Sequence, residues 1–245
     1  MTMLWLVGAG VLAGLVGTAG GITSLVSYPA LIATGLSPLH ADVANLVAAL
    51  ACWPGSALAS RRELSGTWPW LRGALVIAAI GGATGAIALV TTPARTFAVI
   101  VPYLVLLGSV MVLIQPAVTR RLHPRGVPRN YRATLPAIGA VSVYGGYFGA
   151  GSGVLLLATT LTLVDPRLPQ GNAIKNMLLG AGALTAATIF VVAAPVGWSA
   201  VIPLAVGLFA GSTLGPALTR RLPGRFVRLG SALIGLVLAA ELLHG

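Results

Sequence analysis

Charged residues are scarce in this chain, and their scarcity excludes a soluble globular domain. Only 8% of the 245 residues are charged, 57% are hydrophobic, and the mean hydropathy is +0.95. Soluble domains carry about 25% charged residues, which they need in order to cover an apolar interior in water. The sequence therefore predicts an integral membrane protein.

Acidic residues are rarer still, and the excess of basic residues indicates where the loops lie. Four acids stand against 15 Lys and Arg residues, which gives a formal net charge of +11. A basic protein can bind nucleic acid, but no basic patch here is interleaved with aromatic residues, so nucleic acid is not an expected partner. In a membrane protein, excess Arg is typical of cytoplasmic loops.

Cysteine is almost absent, which excludes two kinds of structure. Cys52 is the single cysteine, and it lies within an apolar run. Neither an intramolecular disulfide nor a cysteine-based metal site can form, and no metal or cofactor is expected. The N-terminal stretch MTMLWLVGAG lacks the basic region and the cleavage site of a signal peptide, so we expect it to belong to the mature protein.

The chain contains an internal repeat. The stretch 14–50 (GLVGTAGGITSLVSYPALIATGLSPLHADVANLVAAL) resembles the stretch 145–181 (GGYFGAGSGVLLLATTLTLVDPRLPQGNAIKNMLLGA). In each stretch closely spaced glycines interrupt an apolar run, and an Asn follows at an equivalent place. We therefore predict two membrane repeats, over residues 1–115 and 134–245, joined by a basic cytoplasmic linker at 116–133.

The first two apolar segments of each repeat are shorter than a membrane span. They cover 4–17 and 22–35 in the first repeat and 134–148 and 154–164 in the second, whereas crossing the hydrocarbon core takes about 20 residues. We predict that each short pair forms a re-entrant hairpin, which three full helices follow. The full helices are predicted near 41–60, 70–92, 96–115, 173–194, 198–218 and 226–243.

The basic residues favour re-entrant hairpins over single broken spans. With re-entrant hairpins, every Lys and Arg except Arg95 lies on one side of the membrane, as the positive-inside rule requires. With broken spans, the basic residues divide between the two sides. We therefore expect an all-α polytopic membrane protein with two inverted-topology repeats and with both termini outside. If each short pair instead crossed the membrane twice, the loops would lie on the same sides as with hairpins. This alternative stays open.

The two glycine-rich breaks form the predicted binding site. In inverted-repeat transporters, broken helices place half-helix N-termini at the midplane, where N–H groups and the positive dipole end attract an anion. We expect the two breaks to approach each other, with half-helices that start at Ile22 and Val154; alternatively, the glycines only permit close packing. The candidate substrate-binding residues at the breaks are Gly17, Thr18, Ala19, Gly20, Gly21, Thr23, Ser24, Gly149, Ala150, Gly151, Ser152 and Gly153.

Polar residues follow each predicted hairpin. Asn45, Lys175 and Asn176 complete the candidate substrate-binding set, because polar groups in apolar spans are costly and usually functional. Each Asn could instead make only an interhelical hydrogen bond, and Lys175 could be an anchor at the membrane interface. His40 and Asp42 are candidates for carrying a coupling proton, unless they are solvated helix caps.

The sequence lacks the residues that a dinucleotide-binding site or an intramembrane serine protease would require. A dinucleotide site needs a strand before the glycines and an acid about 20 residues after them. An intramembrane serine protease needs a Gly-x-Ser-Gly pattern, which Ala150 interrupts, and a His in a later helix as base. We therefore expect no enzyme activity.

In its motifs, the chain resembles the TauE/SafE family of sulfite exporters. The resemblance rests on the breaks GLVGTAGG and GGYFGAGSG, on ADVANLVAALACWPGSALASRREL (41–64) and on NAIKNMLLGAGALTAATIF (172–190), and it covers essentially the whole chain. The Asn of the first helix motif corresponds to Asn45, and the Lys-Asn pair corresponds to Lys175 and Asn176. The Pro-Gly pair of the family corresponds to Pro54 and Gly55.

The resemblance implies a secondary transporter in the cytoplasmic membrane, coupled to a proton gradient, that moves sulfite or organosulfonates. The chain departs from the family at Asp42 and Ala44, where many relatives have Asn and Thr, so the substrate preference stays open. The expected partners are a small sulfur-containing anion and membrane lipid, and a homodimer is left open. The alternative function is a membrane scaffold or a channel without coupled transport.

Overall fold

The described part of the chain is all-α, as the sequence predicts. A computed structural model describes residues 2–121 and 131–219, together with isolated positions between 233 and 240. Every regular element in these two ranges is an α-helix. The predicted helix at 226–243 and the middle of the predicted linker lie outside the two ranges.

The helices of the described ranges follow one another with short connections. Those of the range 2–121 are α1 (Thr2–Gly20), α2 (Thr23–Ile32), α3 (Pro38–Ala49), α4 (Cys52–Ala59), α5 (Trp68–Thr91) and α6 (Ala94–Arg121), which extends into the predicted linker. Those of the range 131–219 are α7 (Tyr131–Tyr147), which begins within the predicted linker, α8 (Ser152–Leu163), α9 (Leu168–Ala193) and α10 (Trp198–Thr219).

Six stretches of the described chain are long and apolar enough to cross a membrane. One of them is α1, whose 19 residues exceed the roughly 14 predicted, because the helix begins at Thr2 and continues through residues 18–20. The second segments are short as predicted, since α2 has 10 residues and α8 has 12. The first hairpin therefore joins a full-length helix to a half-helix. The re-entrant course and the opposite orientation of the repeats stay predictions.

Helices from the two predicted repeats pack against each other in a reciprocal manner. The first helix of the first repeat, α1, packs most closely against α10, and the first helix of the second repeat, α7, packs against α5. Small residues permit this approach: a Cβ added to Gly10 would lie 2.5 Å from the carbonyl oxygen of Leu204, and one added to Gly207 would lie 2.2 Å from that of Val7. Each repeat therefore buries its apolar faces against the other.

Glycines in the left-handed conformation end the helices at both breaks. Gly21 has φ 81°, and Gly149 and Gly151 have φ 83° and 81°. Residues with a side chain rarely adopt this backbone conformation, so glycine at these positions allows the chain to turn. The two breaks touch, because a Cβ on Gly21 would lie 2.4 Å from the carbonyl carbon of Gly153. The expectation that the breaks approach each other is therefore confirmed.

The span at 38–59 contains a further break, which the sequence analysis did not predict. Helix α3 ends at Ala49 and α4 begins at Cys52. Pro54 explains the interruption, because it has no N–H to donate to the carbonyl of Leu50 and its ring clashes with that carbonyl in a regular helix. The N–H of Trp53 bonds to the Leu50 carbonyl oxygen instead, at 3.1 Å.

Candidate functional site

A cavity of about 90 Å³ lies where the two breaks meet. Its wall comprises the end of α1, the start of α2, the end of α7, the start of α8, and parts of α3, α4 and α9. A water molecule needs only about 10–15 Å³ by this kind of measure, so the cavity has room for a small polyatomic ion. Nine of the predicted residues line it: Gly17, Thr18, Gly21, Thr23, Ser24, Gly149, Ser152, Gly153 and Asn176.

Two half-helices begin at the cavity wall. Helix α2 begins at Thr23 and α8 at Ser152, where the sequence analysis predicted Ile22 and Val154. Helix α8 starts two residues earlier than predicted because Gly151, in its left-handed conformation, is already the N-cap. The first N–H groups of a helix have no intrahelical acceptor, and they form the positive end of its dipole. The wall therefore has partial positive charge where α2 and α8 begin, and backbone carbonyls where α1 and α7 end.

The side chains of the cavity wall carry no formal charge. In the described chain no Asp, Glu, Lys, Arg or His lines the cavity, and its polar groups are hydroxyl, amide, indole and thiol groups. A cation would find no carboxylate there, whereas an anion would find the N-terminal ends of the two half-helices. Within the described ranges, no group of three or more His, Cys, Asp and Glu side chains could hold a metal ion.

Lys175 lies beside the cavity and is bonded to the end of α1. Its side chain is completely buried, and its Nζ donates hydrogen bonds to the carbonyl oxygens of Gly17 and Thr18, at 3.2 Å each. These carbonyls belong to the last turn of α1, the negative end of the helix dipole, where a cation is stabilising. The alternative interpretation of Lys175 as an interfacial anchor is wrong, because an anchor of that kind extends to the membrane surface.

The two asparagines make interhelical hydrogen bonds, as the alternative interpretation held. The Nδ2 of Asn176 donates to the carbonyl oxygen of Thr18 at 3.3 Å, while the residue also lines the cavity. Asn45 does not line the cavity, and its Oδ1 accepts a hydrogen bond from Ser27 Oγ at 2.5 Å. Since Ser27 Oγ also bonds the carbonyl oxygen of Thr23, Asn45 supports the first turn of α2.

Four predicted residues of the breaks do not line the cavity: Ala19, Gly20, Ala150 and Gly151. They shape the breaks through their backbone. The carbonyl oxygen of Ala150 accepts a hydrogen bond from Tyr144 Oη at 2.6 Å, which ties the second break to α7. Gly108 of α6 packs on the same carbonyl, because a Cβ at this position would lie 2.8 Å from it.

The two candidates for a coupling proton differ sharply in their surroundings. His40 is exposed, and its Nδ1 is hydrogen-bonded to Oγ of Ser37, the N-cap residue of α3, at 2.7 Å. Asp42 is completely buried, and neither of its carboxyl oxygens has a hydrogen-bond partner among the described residues. The interpretation as a solvated cap therefore fits His40 and is wrong for Asp42.

The sequence analysis missed two polar residues of the cavity wall. Trp53 and Ser142 both line the cavity, and the indole nitrogen and the hydroxyl oxygen are buried without a hydrogen-bond partner in the described chain. Trp53 directly precedes Pro54, which was interpreted only as part of the Pro-Gly pair of the family. Ser142 is an isolated hydroxyl on an apolar helix, and such residues usually bond to the carbonyl one turn before.

These features define a class of protein before any comparison is made. A polytopic helical bundle with an uncharged, mainly apolar cavity between broken helices has the architecture of a membrane transporter. Comparison with known proteins agrees: the model of the family described as "Sulfite exporter TauE/SafE" matches residues 3–242. The chain belongs to this family and is a multi-pass membrane transporter.

Curated relatives are also named as membrane transporters. The chain is 26% identical over 241 residues to "Probable membrane transporter protein YfcA" of Escherichia coli strain K12, and equally to the protein of that name from E. coli O157:H7. The match covers 95% of this chain and 86% of each relative. No solved structure matches the chain.

Proposed function

We propose that the protein is a proton-coupled secondary transporter that moves a small sulfur-containing anion, such as sulfite or an organosulfonate, across the cytoplasmic membrane. The observation that carries this proposal is the cavity between the two breaks. Its wall has two half-helix N-termini, and no acidic side chain lines it in the described chain. Partial positive charge without carboxylates favours anions over cations.

The family description supports sulfur as the central atom of that anion. The cavity volume of about 90 Å³ suits a small oxyanion or sulfonate better than a nucleotide or a sugar. Because Lys175 is engaged with the carbonyls of α1, the anion is held by neutral donors. Neutral donors bind through hydrogen bonds and give up the ion readily, as a transporter requires.

Asp42 is the residue that we propose for proton coupling. A buried carboxylate without partners is costly, because desolvation of the charge is not offset by hydrogen bonds or by a cation. A proton on Asp42 removes this cost, and loss of the proton requires access to water. Binding and release of a proton at Asp42 would therefore be coupled to the opening and closing of the transporter. His40, which is exposed and bound to Ser37, has no such dependence.

The basic residues support a placement in the cytoplasmic membrane with the linker at 116–133 inside and both termini outside. Arg61, Arg62 and Arg72 lie around the connection between α4 and α5, and further Arg residues lie in the linker. Positive residues are retained on the cytoplasmic side. Large exposed apolar side chains on the helices, among them Val99 and Val192, would contact lipid.

The experiment is uptake of radiolabelled sulfite, thiosulfate, sulfoacetate and taurine into liposomes that contain the purified protein. We expect one or more of these anions to accumulate when a pH gradient is imposed, and unlabelled sulfite to compete. Asp42→Asn should make the uptake independent of the gradient, while His40→Gln should leave the dependence unchanged.

Each outcome separates the proposal from its alternative. Uptake that only equilibrates the anion, with no response to the gradient, indicates a channel. No flux of any sulfur anion, although the protein is correctly folded, indicates a scaffold or a different substrate and overturns the proposed function.

A further inference from the structure

Two buried hydrogen-bond donors beside the cavity are left without acceptors by the protein itself. Trp53, at the start of α4, and Ser142, on α7, line the cavity from different helices. The Nε1 of Trp53 and the Oγ of Ser142 are buried, and neither has a hydrogen-bond partner in the described chain. Polar atoms that are buried in a folded protein are almost always hydrogen-bonded, so each exception needs an explanation.

Packing holds the indole of Trp53 in a defined position. A Cβ added to Gly180 of α9 would lie 2.1 Å from both Cδ1 and Cγ of Trp53, so the five-membered ring rests directly on the α9 backbone. The break between α3 and α4, which Pro54 causes, places Trp53 at this point. The unpartnered N–H therefore belongs to a fixed side chain and is not the result of a loosely packed one.

Other hydroxyl groups in the same wall are satisfied by the protein. Ser56 Oγ donates to the carbonyl oxygens of Cys52 or Trp53, at 2.8 and 3.1 Å, and Ser152 Oγ donates to that of Gly149 at 2.7 Å. Ser142 has the same type of side chain and is 5% exposed, yet its hydroxyl makes no such bond. The lack of a partner is therefore specific to Trp53 and Ser142 among these residues.

We propose that Trp53 Nε1 and Ser142 Oγ donate hydrogen bonds to the transported anion in the cavity. This inference rests on the proposed function, which it deepens by naming the side chains that bind the anion. An indole N–H can only donate, so its partner must be an acceptor. An oxyanion in the cavity supplies acceptor oxygens for both groups at once, and a bond to a charged acceptor is stronger than one to a neutral acceptor.

The test is the affinity of detergent-purified protein for a panel of anions, measured by calorimetry with sulfite, thiosulfate, sulfoacetate, nitrate, phosphate and acetate. Trp53→Phe keeps the ring over Gly180 and removes the N–H, and Ser142→Ala removes the hydroxyl. We expect each variant to bind the preferred anion about tenfold more weakly, as the loss of one hydrogen bond to a charged partner predicts.

Two matched controls separate loss of a donor from general damage. Ser109→Ala removes a buried hydroxyl of α6 that is already bonded to the carbonyl oxygen of Val105 and does not line the cavity, and Trp68→Phe alters an exposed indole at the start of α5. Both should bind the anion with wild-type affinity. Thermal unfolding of every variant identifies a folding defect, and Ser142→Ala tests the proposal by itself if Trp53→Phe does not fold.

The outcomes distinguish this inference from the proposed function. Wild-type affinity in Trp53→Phe and Ser142→Ala overturns the donor assignment, even if sulfur anions bind. Preference of the wild-type protein for a non-sulfur anion overturns the proposed substrate, while weaker binding of that anion by the two variants still supports the donors. A wild-type protein that binds no anion of the panel overturns both.

Discussion

Five residues with buried polar side-chain atoms fall into two groups, according to whether those atoms are hydrogen-bonded within the protein. Lys175 and Asn176 donate hydrogen bonds to the carbonyl oxygens at the end of α1. Asp42, Trp53 and Ser142 have buried polar atoms without partners in the described chain. The first group maintains the shape of the breaks, and we assign the second group to proton and anion binding. Sequence position alone does not separate the two groups, because each partner comes from a distant part of the chain.

Lys175 is the residue whose replacement tests the first group. Lys175→Met keeps most of the side-chain volume but removes the ammonium donor from the carbonyls of Gly17 and Thr18, which keep their hydrogen bonds from Gly21 N and Asn176 Nδ2. We expect the free energy of unfolding to fall by about 1.5–3 kcal/mol, as for the loss of a hydrogen bond from a charged donor, and transport to be lost. Thermal unfolding in detergent and sulfite uptake measure the two effects. Arg95→Met, at an exposed position, is the control, and a Lys175→Met protein with wild-type stability would contradict the capping role.

At the scale of helices, the sequence predicted the breaks well and their surroundings less well. Glycine clusters in equivalent places of an internal repeat indicate interruptions, and Gly21 and Gly149 do adopt the left-handed conformation. The length of α1 was underestimated, because a run of small residues can continue a helix when other helices pack on it. The break at Pro54 was missed because the apolar run through it is uninterrupted.

The contact between the breaks makes a prediction about Gly153. A Cβ at Gly153 would lie 2.5 Å from the carbonyl oxygen of Gly21, so Gly153→Ala must push the two breaks apart. We expect a loss of about 1–3 kcal/mol in stability, which is typical of overpacking, and a large loss of transport. The control is Gly8→Ala in α1, where an added Cβ has no neighbour within 4 Å. Because alanine favours the helix, Gly8→Ala should keep full transport, with stability unchanged or raised by about 0.5–1 kcal/mol. Equal transport by the two variants would show that the contact is not required.

At the scale of the molecule, composition and periodicity were enough to predict an all-α membrane protein. They could not establish how the chain crosses the membrane, since that depends on which basic residues belong to loops. Lys175, counted with the loops in the sequence analysis, is buried in the bundle. Arg167 does lie in a connection, where hydrogen bonds from its guanidinium to Asp165 raise the pKa of Arg167 and keep the group charged. The orientation therefore rests on the arginines.

The connection before α9 offers a direct test of that orientation. If α7 and α8 form a re-entrant hairpin, the linker and the connection at Pro166 lie on the same side of the membrane, whereas a single broken span would put them on opposite sides. In a protein with Cys52→Ala, single cysteines at Gly126→Cys and Pro166→Cys should react with a membrane-impermeant maleimide only after cells are permeabilised. Ala94→Cys, beside Arg95, should react in intact cells and serves as the control for the outer face.

Reaction of Pro166→Cys in intact cells, with Gly126→Cys still protected, would contradict the hairpin and indicate a broken span. The two positions would then lie on opposite sides of the membrane, which requires an odd number of crossings between them. The basic residues would then divide between the two faces, and the argument from the positive-inside rule would fail with the hairpin.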